Sequence, residues 1–120
     1  MNQIRGAGVE NSAFIVLSNP INVDREREYN RWYSEIHVPE MLALPQVVSA
    51  RRYQVANLEA PFLADGVSGR RYLAIYEVAA GSMSSMLTDM EAARHAGAMT
   101  FSDDLEMTPP PLSVAVRRID

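Results

Sequence analysis

The sequence predicts an α+β domain whose elements follow in the order β-α-β-β-α-β. Three observations carry this reading. Residues 12–18 form a short, β-rich apolar run, and residues 24–42 carry an aromatic stripe at helical spacing. Two successive strand patterns then precede a second, methionine-striped helix. A chain of 120 residues has room for one hydrophobic core. Residues 12–120 are expected to form it, with residues 1–11 as a polar, glycine-containing flexible tail.

The first strand is Ser12–Ser18, and Asn19-Pro20 ends it because proline has no amide hydrogen for a ladder. Asp24 reads as the N-cap of the first helix, with Glu26 and Glu28 in its first turn, where the helix dipole favours negative charge. Tyr29, Trp32, Tyr33 and Ile36 then recur on one face, and Pro39 makes the end of this helix irregular before Leu42. A second strand spans residues 47–56, with Val48, Ala50, Arg52 and Gln54 on one face and Ser49, Arg51, Tyr53 and Val55 on the other. Residues 57–69 form a long polar loop in which Pro61-Phe62-Leu63 offers an apolar docking point. The third strand, residues 70–79, contains Tyr72, Ile75 and Tyr76. The second helix opens at Gly81-Ser82, buries Met83, Met86, Leu87 and Met90, and ends at His95 and Gly97. A turn at residues 100–107 and a stiff proline run at 109–111 lead to the last strand, residues 112–119.

This order is the split βαβ, or ferredoxin-like, arrangement: a four-stranded antiparallel sheet with two helices on one face. The strands are apolar on both faces, as in Phe14-Ile15-Val16-Leu17, yet nothing remains in the chain to cover the second face. A second copy is the expected cover, and the chain reads as a homodimer.

Composition excludes several chemistries. There is no cysteine, so disulfides, thiolate nucleophiles and thiolate metal sites are ruled out. All eleven basic residues are arginine, so no lysine can form a Schiff base or serve a P-loop. Net charge is −4 and the arginines are scattered, which argues against nucleic acid as a partner. No apolar run approaches the ~20 residues of a membrane span, and the start lacks the pattern of a secretory leader. A soluble, cytoplasmic protein is expected. No glycine-rich phosphate cradle is present, and the two histidines lie far apart, so no cofactor and no metal are expected.

The most distinctive segment runs Tyr29-Asn30-Arg31-Trp32-Tyr33-Ser34-Glu35-Ile36-His37-Val38-Pro39-Glu40, followed by Leu44-Pro45-Gln46-Val47-Val48-Ser49-Ala50-Arg51-Arg52-Tyr53. A Trp-Tyr-x-x-x-His-x-Pro helix entering a Leu-Pro-x-Val strand with an Arg-Tyr end resembles the EthD-like branch of the dimeric α/β-barrel superfamily. The likeness extends over about residues 12 to 119 and is supported by Arg71-Tyr72-Leu73-Ala74-Ile75-Tyr76-Glu77. It implies the ferredoxin-like fold, two sheets facing each other as a barrel, and a pocket between helices and sheet in each subunit. Activities in that superfamily include cofactor-free oxygenation, isomerisation, and polyketide cyclisation and dehydration.

His37 matches the helix histidine of this resemblance and is the first candidate for catalysis. Imidazole can give or take a proton near neutral pH, and a helical wheel puts it about 80° from Tyr29. Tyr72 and Tyr76 share a strand face with Ala74 between them and are the candidate hydroxyl donors. Tyr29, Trp32, Tyr33 and Tyr53 are candidate substrate contacts, together with the inward member of the Arg51-Arg52 pair, for which Arg51 is preferred. His95 reads as a helix C-cap. The expected function is proton-transfer chemistry on a small aromatic, polyketide-like or lactone-like molecule, of lyase, dehydratase, cyclase or isomerase type. Cofactor-free oxygenation of a phenol and non-catalytic ligand binding are the alternatives.

Overall fold

The strand with an unbroken apolar run, residues 13–17, becomes an inner strand. In the computed structural model, which describes residues 11–120, β1 (Ser12–Ser18) pairs antiparallel with both β3 (Tyr72–Val78) and β4 (Leu112–Arg117). The other edge is β2 (Val47–Gln54), so the sheet order is β2-β3-β1-β4, all antiparallel. Around the first crossover, a 3₁₀ turn (Val23–Arg25) feeds α1 (Glu26–Trp32), a π-helical turn (Tyr33–His37) and α2 (Val38–Leu42); α3 (Met83–His95) forms the second crossover. This is the ferredoxin-like fold.

Several element ends differ from expectation. The first helical run is capped by Asn22, whose side chain accepts from the Arg25 amide at 3.1 Å, and Asp24 lies inside the 3₁₀ turn. β3 starts at Tyr72 because the Arg71 amide donates to Asn19 Oδ1 and Arg70 pairs with Val67 in a local bridge. α3 starts at Met83 and stops where Gly97 turns left-handed at φ +77°. The loop at 57–69 does not dock its apolar triplet: Phe62 is 86% exposed, since the loop is held by Arg71–Asp65 and a tight turn from Ala60 to Leu63. Of the expected tail, residues 1–10 lie outside the described residues. Asn11 is bonded through its side chain to Glu77 and to the Ala80 amide.

The two sheet faces follow from the ladder. Tyr72, Ala74, Tyr76 and Val78 are buried against the helices, so their partners Gln54, Arg52 and Ala50 face the same way. A bulge between Val47 and Ser49 buries Val47 in place of Val48, which is left exposed. On the outer face Ile15, Ile75 and Val114 form one row, and Leu17, Leu73 and Leu112 the next. Val114 is 45% exposed and Leu112 40%, so the described residues leave this part of the apolar sheet face open. On the helix side, Tyr29, Met41, Tyr76, Val78 and Met86 are fully buried. Among the described residues no helix is long and apolar enough to cross a membrane.

Candidate active site

The site begins with a proline. Pro39 has no amide hydrogen to give the Glu35 carbonyl, and its ring crowds that oxygen. The preceding turn widens: the Val38 amide reaches the Tyr33 carbonyl, five residues back. In a regular α-helix, side chains five residues apart point about 140° from each other. The extra residue in this turn brings Trp32 and His37 onto one face, where the rings stack with centroids 5.1 Å apart and planes 17° from parallel. Tyr33 meets the imidazole edge-on at 5.1 Å, and Phe101 lies across it at 5.8 Å.

His37 is 7% exposed, and its Nδ1 lies 3.3 Å from Glu40 Oε1, one helical turn on. A carboxylate there accepts from Nδ1–H and leaves Nε2 as the ring nitrogen with a free lone pair. Burial lowers the His37 pKa. The Glu40 hydrogen bond and charge oppose this without overcoming it, and the Arg52 charge lowers it further. The imidazole is therefore neutral at pH 7 and equipped as a base.

Beside it lies a cavity of about 240 Å³. Trp32, Tyr33 and His37 line one wall, and Phe14, Val16 and Tyr76 of the sheet line the floor. The remaining wall comes from the end of α3 and from residues 99–111, including Met99, Phe101, Met107 and Pro110. That segment is strapped to the body by Arg25–Asp104 at 2.7 Å and by backbone bonds from Ile21 to Asp104 and from Glu106 to Asn19. At the rim Arg94 grips Glu91 through two hydrogen bonds of 3.0 and 2.6 Å. Burial pushes the Tyr33 phenol up to about 12, and that of Tyr76 higher still, so both are protonated donors. Tyr76 is 1% exposed, and its hydroxyl has no hydrogen-bond partner among the described residues.

The structure thus brings His37, Tyr76, Trp32 and Tyr33 together around one cavity and leaves the other candidates outside it. Tyr29 is wholly buried, with its hydroxyl 2.6 Å from Ser18 Oγ. Tyr72 turns toward α1, where its hydroxyl donates to Glu26 and accepts from Asn30. Arg51 and Tyr53 point to the outer sheet face, because they pair with Ile75 and Leu73. Arg52 is the inward arginine, and it too stays out of the cavity. Its guanidinium lies 4.3 Å over the Tyr33 ring and donates to Asn30 and Ser34, tying α1 to β2. His95 is exposed at the end of α3, near Glu91. Sequence reading missed Phe101, Met99, Met107 and the prolines as cavity wall. The signal present was a long connection holding a lone aromatic and a proline run. Among the described residues, no three His, Asp or Glu side chains gather as metal ligands.

No family model matches the sequence, and no curated protein matches it. Solved structures match over nearly the whole chain. HapK from Hahella chejuensis superposes with a TM-score of 0.62 at 18% identity, over 90% of this chain and 92% of its own. An EthD family protein from Bacillus halodurans C-125 gives 0.59 at 15% identity, over 92% of this chain and all (100%) of its own. The chain shares the ferredoxin-like fold with these proteins. A third solved structure, a proposed monooxygenase from Shewanella loihica PV-4, gives 0.58 at 13% identity, over 92% of this chain and 98% of its own.

Proposed function

We propose that this chain is a homodimeric acid/base enzyme acting, without a cofactor, on a small aromatic, polyketide-like or lactone-like molecule. The observation that carries the reading is His37: a buried, neutral imidazole, oriented by Glu40 and opening onto an apolar, aromatic-walled cavity. In the proposed step Nε2 removes a proton from a carbon next to a carbonyl. The enolate oxygen takes a hydrogen bond from Tyr76, and the imidazolium returns the proton at the same or a neighbouring atom. Cyclisation, dehydration and isomerisation all begin in this way. The half-exposed Val114 and Leu112, in register with Ile15 and Leu17, support the dimer, since a second sheet laid on them would remove that apolar surface from water.

The test uses 2-tetralone, an uncharged bicyclic ketone with acidic C–H bonds, in D₂O. The wild-type protein is expected to speed deuteration beside the carbonyl over buffer alone, and His37→Gln to abolish the gain. Exchange no faster than buffer, or unchanged in His37→Gln, would contradict the reading. A second reading is oxygenation of a phenol, favoured by the description of the Shewanella loihica neighbour and by a base able to form a phenolate. Oxygen uptake with 2-naphthol would place it first. Binding with neither activity would leave a non-catalytic ligand carrier.

A further inference from the structure

Resting on the reading of this cavity as the ligand site, we infer that its ligand is uncharged, no larger than two fused rings, and anchored by one oxygen on the Tyr76 hydroxyl. Size comes first. An apolar cavity of about 150 Å³ accepts benzene. At about 240 Å³ this cavity has room for a second fused ring or for ring substituents, and three or four fused rings would project through its open side. The thioether side chains of Met90, Met99 and Met107 let the walls adjust to substituents without enlarging that limit.

Charge comes next. The described arginines around the cavity are engaged: Arg94 is held by both Glu91 oxygens, Arg70 donates to the Ser68 and Pro110 carbonyls, and Arg52 lies over the Tyr33 ring with its terminal nitrogens on Asn30 and Ser34 and only its buried Nε unpaired. A carboxylate or phosphate entering the interior would lose its hydration and, among the described residues, meet no cation without a partner already in place. Tyr76 stands on the cavity floor with its hydroxyl fully buried beside the Tyr33 phenol, without a hydrogen bond within 3.5 Å among the described residues. A carbonyl or hydroxyl oxygen on the ligand is the partner that buried donor lacks.

Binding is measured by calorimetry and by the NMR shift of the Trp32 indole N–H, with 2-naphthol, naphthalene, 2-naphthoate and 2-hydroxyanthracene as probes. The wild-type protein is expected to bind 2-naphthol at least about ten-fold more tightly than each of the others. Tyr76→Phe should bring 2-naphthol down to the level of naphthalene and leave naphthalene unchanged. That variant deletes an unpartnered polar atom, so it should fold at least as stably as wild type. Equal or tighter binding of 2-naphthoate or 2-hydroxyanthracene would overturn the inference, as would an unaltered preference in Tyr76→Phe. Those outcomes leave the acid/base reading to the deuteration test. No shift of Trp32 with any probe would overturn both.

Discussion

Trp32 and His37 are five residues apart and stacked, a pairing that a regular helix forbids and the widened turn before Pro39 permits. Trp32 is the only tryptophan in the chain, so tryptophan emission reports on this one site. Protonated imidazole quenches indole more strongly than neutral imidazole. Emission should therefore fall as pH drops through the His37 pKa and stay flat in His37→Gln. In Pro39→Ala the restored amide can bond Glu35, the turn tightens, and the pH-dependent quenching should be lost.

Burial sets the pH dependence of the fold as well. The folded His37 pKa lies below its ordinary value of 6.5, so the unfolded chain binds the proton first as pH falls. The contribution is complete above pH 6.5 and is lost as pH falls through the folded value. Urea midpoints should show this acid-side loss in wild type and a smaller one in His37→Gln. Glu40→Gln removes the group that raises the His37 pKa, so the acid limb of the pH–rate profile should move to lower pH. A limb moving upward would contradict the assigned pairing.

Arg52 is a structural tie whose shape matters more than its charge. Lysine cannot both lie over the Tyr33 ring and reach Asn30 and Ser34. Arg52→Lys should cost about 1–3 kcal/mol in urea unfolding, as expected for losing hydrogen bonds to a charged group. Arg51→Lys, on the outer face, should change stability by less than about 0.5 kcal/mol.

The outer sheet face gives the fourth prediction. Wild type should sediment as a dimer at micromolar concentration, and Val114→Arg, which puts a charge in the row of Ile15 and Ile75, should sediment as a monomer. A wild-type monomer under those conditions would remove the case for a barrel.

The element order and the inward face of β3 were legible because strand alternation is a local property: Tyr72, Ala74 and Tyr76 lie two apart whatever packs on them. His37 was legible as a candidate and not as a geometry. The helical wheel assumes 3.6 residues per turn, and the widened turn departs from that where the site is built. The choice between Arg51 and Arg52 depended on which face of β2 meets the helices, a fact of sheet pairing that sits outside the dipeptide itself. Phe101 escaped notice because a cavity wall made by a loop has no periodicity. Tertiary straps from Asn19, Ile21 and Arg25 place that segment over His37.

The central claim is that His37 is a neutral base with its Nε2 free for a ligand. A ¹⁵N titration of the imidazole by NMR tests it most directly. The account predicts the Nδ1–H tautomer at pH 7, an apparent pKa below 6.5, and an Nε2 signal that shifts when 2-naphthol is added. A pKa above 6.5, or a proton on Nε2 at pH 7, would contradict it.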